Sequence, residues 1–309
     1  MAAEIFAVTS RPVLIAFVAF VVLAGSNAAA VKSVLGELAP LWSAALRFLI
    51  AGALLLVLLL AQHRPVPRGD HLRGTLIYGV IAFALVYFFL YLAIGDTGSG
   101  VTMTVLSIVP LLTVLLSAVH GIERPRLFAV VGALMAAAGI VIVAADQLTL
   151  SVPLTAIGLL LAGAFFQAEQ VVIVKRLPPG DPVAANAIGM LLGGTLLVGA
   201  SLVAGEAIGW PTQPDTLVAM AYLIGPGSIG VFLLALYILA RWTASATSYA
   251  FLLFPLVAIA LGVVLYDEPF QPVFLLGGAV VLLGVYIGAI YRSKAAAEEP
   301  TPKPATVEG

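Results

Sequence analysis

The chain has 309 residues, of which 62% are hydrophobic and only 9% charged, with a mean hydropathy of +1.16. A soluble domain carries about 25% charged residues, and no water-facing surface can be assembled from this composition. A net charge of -1 without a basic stripe excludes nucleic-acid binding, zero Cys excludes a disulfide scaffold, and unbroken apolar runs exclude the alternating strands of a β-barrel, which leaves an all-α polytopic membrane protein.

Ten stretches come near the ~20 apolar residues that cross a bilayer: 12–34, 40–62, 71–94, 98–117, 125–144, 153–174, 181–204, 217–240, 244–265 and 272–291. In span 1, Arg11, an apolar run and Asn27-Ala28-Ala29-Ala30 imitate a cleaved signal peptide. The run is too long for one and nine spans follow, so span 1 is expected to be retained. Span 2 carries Arg47, about 10 Å along the helix from Pro40, with Ser43 one turn away. Charges inside a membrane are functional candidates. Arg47 reads as a carboxylate anchor or gating cation, or else as a structural arginine at a helix–helix contact.

Span 3 places Phe83, Tyr87 and Tyr91 on one helical face, an aromatic wall for a substrate or a packing stripe. In span 4, Thr102, Thr104 and Ser107 precede Pro110, which predicts a hydroxyl-lined path beside a hinge, although each hydroxyl can equally bond its own helix. Glu123 is expected to face the start of span 5. Span 6 holds Glu169, beside Gln170 and about 9 Å above the boundary at Lys175. A carboxylate at that depth must be neutral or paired. It reads as a proton-coupling site, an anchor for a substrate ammonium, or a partner of a nearby cation. Gly189 and Gly193 in span 7, and Gly284 and Gly288 in span 10, are spaced for tight helix packing. Span 8 is interrupted by Gly225-Pro226-Gly227-Ser228, a broken helix of the kind that marks transporter sites. Span 3 has no matching Pro, so the break is expected in one half only. Span 9 carries Ser245, Thr247, Ser248 and Tyr249 before a second hinge at Pro255. The segment 294–309 is expected to be a disordered cytoplasmic tail.

With a cytoplasmic N-terminus, twelve of the fourteen Lys and Arg lie on the inner side, so both termini are expected to be cytoplasmic in the cytoplasmic membrane. A shift of 145 residues superimposes Pro110 on Pro255, Glu123 on Glu268 and Gly132 on Gly277, and a shift of 143 superimposes Lys32 on Lys175. The chain therefore reads as two repeats, 12–147 and 150–293. Five spans in each force opposite orientations, the arrangement of alternating-access transporters around a central cavity.

Gly25-Ser26-Asn27, Lys32, Pro40 and Arg47-Phe48, with the duplicated Pro110…Glu123…Gly132 and Pro255…Glu268…Gly277, give each half a resemblance to the EamA domain of the drug/metabolite transporter superfamily. Ala24 stands where that family often has Trp. The resemblance implies two inverted five-helix halves, and movement, often outward, of small metabolites, amino acids or drugs.

The leading expectation is a secondary exporter of small neutral, zwitterionic or cationic metabolites. Its cavity candidates are Asn27, Arg47, Tyr87, Tyr91, Thr102, Ser107, Glu169, Gln170, Ser228, Ser245 and Tyr249, and its hinges are Pro110, Pro226 and Pro255. The alternative is multidrug or cation efflux with Glu169 as the proton or cation site. An integral membrane enzyme or a non-transporting scaffold is less favoured, because no catalytic motif or sizeable soluble segment appears. No cofactor or metal is expected, the partners are the bilayer and a small-molecule substrate, and a monomer is the expected unit.

Overall fold

The computed structural model describes residues 11–94, 97, 102, 105–124, 127–143, 153–178, 180–266 and 273–291. All regular structure among them is helical. In chain order the helices are α1 (Arg11–Leu35), α2 (Pro40–Ala61), α3 (Asp70–Gly79), α4 (Val86–Ile94), α5 (Val109–Val119), α6 (Leu127–Val143), α7 (Leu154–Arg176), α8 (Pro182–Val203), α9 (Pro214–Ile224), α10 (Val231–Leu239), α11 (Ala244–Ser248), α12 (Ala250–Tyr266) and α13 (Val273–Val285). Three π-helical segments accompany them: Val80–Leu85 joins α3 to α4, Gly225–Gly230 joins α9 to α10, and Tyr286–Tyr291 follows α13. Six helices are long and apolar enough to cross a membrane, and four shorter apolar ones occupy spans 4, 5, 9 and 10. The tail 294–309, Thr104, Glu268 and the junction 144–152 lie outside the described residues.

The interruption in span 8 has a counterpart in span 3, against the expectation of a break in one half. The segments Val80–Leu85 and Gly225–Gly230 are separated by 145 residues, the spacing that relates Pro110 to Pro255. Proline is not needed for a π-turn. In span 3 the backbone is pressed against the glycine face of α8 instead. A Cβ on Gly79 would lie 2.8 Å from Gly189 Cα, and one on Gly193 would lie 3.0 Å from the Phe83 carbonyl carbon. The small residues of span 7 thus serve the tight packing their spacing predicts.

Helix contacts follow an approximate two-fold axis. α2 packs on α8 and α6 on α13, each pairing equivalent spans. α1 packs on α12 as α5 packs on α7, and α1 meets α9 and α10 as α7 meets α4. The α2–α8 pair is fastened at both ends by residues in equivalent positions. At one end Glu206 accepts from Leu41 N (3.0 Å) and Trp42 N (2.8 Å), satisfying the free amides at the start of α2. At the other, Arg64 pairs with Asp181 at 2.9 Å, and Asp181 caps the start of α8 through Val183 N and Ala184 N.

Beside Glu206, Glu37 accepts from the Thr212 hydroxyl and amide, both at 2.7 Å. Those bonds, the hydroxyl first, hold the Glu37 carboxyl down at about 2. A depressed pKa gives a tie that is intact above the ordinary carboxylate range and is lost only as pH falls through about 2.

Glu123 accepts from Ala244 N at 2.6 Å, so it caps α11 in the other half, while the first residues of span 5 lie outside the described residues. Pro110 opens α5 after a turn at Ser107–Ile108, where its missing N–H costs nothing, whereas Pro255 does lie inside α12.

Candidate functional site

A cavity of about 230 Å³ lies between the two halves. Its walls repeat the internal symmetry. α1 contributes Ala24, Asn27, Ala28 and Val31, and α7 contributes Gln167, Gln170, Val171 and Val174, the same four positions 143 residues later. Both sets follow i, i+3, i+4, i+7 spacing, one face of a helix. At a shift of 145, Tyr87 is matched by Phe232, Tyr91 by Leu236, Thr102 by Thr247 and Leu106 by Phe251. The cavity therefore sits on the approximate two-fold axis that relates the halves.

Arg47 breaks that symmetry. It lines the cavity, is 1% exposed, and its counterpart positions in α8 are apolar. Its Nε donates to Ser228 Oγ at 2.6 Å and a terminal nitrogen donates to Gly227 O at 2.7 Å, so the guanidinium grips the π segment of span 8. The guanidinium carbon lies 5.0 Å from the Phe48 ring centre and 5.4 Å from that of Tyr87. No carboxylate among the described residues pairs with it. Asn27 Nδ2 donates to the same Gly227 carbonyl at 3.1 Å, and a side chain at position 227 would overlap the Asn27 amide.

Of the other sequence candidates, Tyr87, Tyr91, Thr102 and Gln170 line the cavity. Thr102 shares a hydrogen bond with Thr97 at 2.9 Å. Ser228 meets the site through Arg47. Ser107, Ser245 and Tyr249 are buried outside the lining, and the Tyr249 hydroxyl donates to Ala129 O, tying span 9 to span 5. Pro226 lies in the π segment beside the Gly227 contact. Phe83 leaves the expected aromatic face, packing 5.2 Å from Phe48 and 4.6 Å from Phe232. Tyr78, Gln167 and Phe232 line the cavity without having been singled out, and the repeat shift would have found Gln167 and Phe232.

Glu169 does not line the cavity. One residue before Gln170, it turns to the residue that follows α5, where Oε1 lies 3.4 Å from His120 Nε2, and His120 Nδ1 lies 3.4 Å from Arg176. Its repeat mate Ser26 bonds the Val22 carbonyl of its own helix. Glu169→Gln is therefore expected to leave the half-saturation concentration in counterflow within about twofold of wild type, the scale of a substitution away from the site. A tenfold rise would put the carboxylate back in the binding site.

Tyr78, Val174, Leu236 and Leu239 also line a wider cavity of about 940 Å³ between the 65–68 and 177–182 loops. The central cavity thus joins the end of the bundle that carries Arg68 and Lys175. At the opposite end Glu206 holds the start of α2 and Glu37 holds the loop at Thr212.

Comparison with known proteins agrees with this architecture. The EamA-like transporter family model matches residues 11–145 and again 154–289. The chain is 30% identical over 278 residues to a protein of Escherichia coli (strain K12) named uncharacterized inner membrane transporter YedA, covering 89% of this chain and 90% of that one. It is 26% identical over 270 residues to an uncharacterized transporter of Archaeoglobus fulgidus, covering 84% and 91%. A solved crystal structure shares the fold, with a TM-score of 0.76 at 21% identity over 92% of this chain and 98% of that one. With both repeats matched and the apolar helices among the described residues packed as two related halves, the chain belongs to the EamA-like transporter family.

Proposed function

We propose that this transporter moves small metabolites that carry a carboxylate on an apolar or aromatic body, by alternating access through the central cavity. Arg47 carries the reading: a buried cation in the cavity wall, bonded to a carbonyl and a hydroxyl but to no acid. A substrate carboxylate supplies the missing counter-charge, and a charged hydrogen bond in a dry site is worth roughly twice a neutral one. Phe20, Tyr87, Phe232 and Phe251 supply the apolar wall. No acidic side chain lines the cavity among the described residues, which weighs against purely cationic substrates and against the multidrug alternative built on Glu169. A single cation also suits a carboxylate better than a phosphate.

The inner-membrane name of the Escherichia coli relative and the split of twelve cations inside to one outside support a cytoplasmic membrane location with both termini inside. In that orientation the cavity joins the cytoplasmic vestibule, the loading state of an exporter. The test is counterflow in proteoliposomes loaded with mixed amino acids and short carboxylic acids. Free acids should compete and their methyl esters should not. Equal competition by acid and ester would end the reading.

A further inference from the structure

Glu37 and Thr212 join the corner between α1 and α2 to the residues that lead into α9. The Glu37 carboxylate accepts from the Thr212 amide and hydroxyl, both at 2.7 Å, and from the amide of Gln213, the N-cap of α9, at 3.3 Å. Trp42 Nε1 donates to Gly209 O at 2.6 Å and holds the earlier part of that loop against α2, which leaves Glu37 to hold the last residues before α9.

This tie has no equivalent at the other end of the bundle. At the shifts of 143 and 145 residues that relate the repeats, Glu37 falls on Gly180 and Thr212 on Pro67. Gly180 has no side chain, and Pro67 has neither a hydroxyl nor an N–H to donate. Asp181, beside Gly180, is engaged with Arg64 and with the start of α8. Both mates line the wide cavity of about 940 Å³. Val34, whose carbonyl accepts from the Glu37 amide, is 1% exposed, whereas its mate Leu177 lines that same cavity and is half-buried. The fastening of α2 to α8 is duplicated at both ends, as suits a frame that stays assembled. The Glu37 tie is single, and it lies at the end opposite the vestibule.

We propose that Glu37 is a latch: it holds the mouth opposite the vestibule shut, biases the resting transporter toward the state open at the vestibule, and releases Thr212 and Gln213 when the two mouths exchange. The proposal rests on alternating access as read above and adds the group that sets its resting balance. A tie made in one state and absent from the other shifts the equilibrium by its own strength. An exposed charged tie is weak, so the latch biases the two states without locking either.

The chain has no Cys, so introduced cysteines report without background. Two rates are measured on the full chain purified in detergent, where reagents reach both ends. Labelling of Val34→Cys by a water-soluble maleimide reports opening beneath the latch. Bridging of a Pro67→Cys/Gly180→Cys pair by copper phenanthroline in air reports closing of the vestibule mouth, because a disulfide needs its two Cα atoms within about 7 Å. Glu37→Ala is expected to raise both rates by about two- to fivefold, the scale of an exposed charged tie. Thr212→Val should raise both by less, since its amide still donates. Faster labelling of Val34→Cys alone means local fraying and overturns the latch, as does faster bridging alone or no change in either rate. Bridging that proceeds equally with and without Glu37 overturns the latch and leaves alternating access standing, whereas a pair that bridges in no variant ends both. Competition between acids and esters in counterflow tests the carboxylate reading independently of these results.

Discussion

Arg47→Met is expected to leave the protein folded, at equal or higher thermal stability, while binding of carboxylate substrates falls by roughly 10- to 100-fold. Breaking a buried ion pair is destabilising because it strands the partner charge. Arg47 has no acidic partner to strand: it gives up bonds to Ser228 Oγ and Gly227 O, and Asn27 still donates to that carbonyl. Against the lost bonds stands relief from desolvating a guanidinium between Phe48 and Tyr87, and apolar replacement of buried charge is often neutral or stabilising. The functional loss follows from a charged hydrogen bond worth about 1.5–3 kcal/mol. Thermal melting in detergent with and without a carboxylate ligand checks both parts. If the variant is unfolded and Arg47→Lys does not rescue it, Arg47 is a brace between span 2 and the π segment and the handle role fails.

Gly132→Ala should destabilise the protein by about 1–3 kcal/mol or more, among the largest effects of adding one methyl group. An added Cβ would lie 2.6 Å from Gly284 O and 2.6 Å from both N and Cα of Gly288, all backbone atoms that cannot swing aside. This is the α6–α13 contact, in which small residues let two helices approach closely. Gly158→Ala is the control. Its Cβ meets nothing within 4 Å, and alanine in place of a helical glycine favours the helix by up to about 1 kcal/mol. The melting temperatures of the two variants should move in opposite directions. Unchanged melting of Gly132→Ala would mean that α6 and α13 are separated in the membrane.

The spans were legible because the bilayer imposes length and hydropathy on each one, and the repeat was legible because Pro110 and Pro255, or Lys32 and Lys175, keep their spacing. The site was legible only in part. Tyr87 and Tyr91 share a helical face that needs no tertiary information, whereas Phe83 lies inside a π segment, where the facing of each side chain departs from the 3.6-residue rule that grouped the three. Glu169 drew attention because a charge in a span is rare, yet one residue is about 100° around a helix. That rotation is enough to put Gln170 in the cavity and Glu169 against His120. Glu123 and Glu206 each cap a helix far away in sequence, and local pattern cannot name that partner.

The paired π segments also bear on how this chain tolerates changes in length. A π-turn accommodates one residue more than the α-helix around it, usually at the expense of helix regularity. Loss of one residue from Val80–Leu85 would let span 3 run as continuous α-helix with everything beyond it facing as before, because the π-turn already absorbs the extra residue. Tyr87 and Tyr91 would stay in the cavity wall, whereas the same loss from the regular helix ahead of the segment would turn them by about 100°. The same deletion in Gly225–Gly230 would leave Phe232 and Leu236 on the wall and would be felt instead at the Gly227 and Ser228 contacts of Arg47. The surplus residue in each half thus marks the place in spans 3 and 8 where the chain can shorten by one without rotating the wall beyond it.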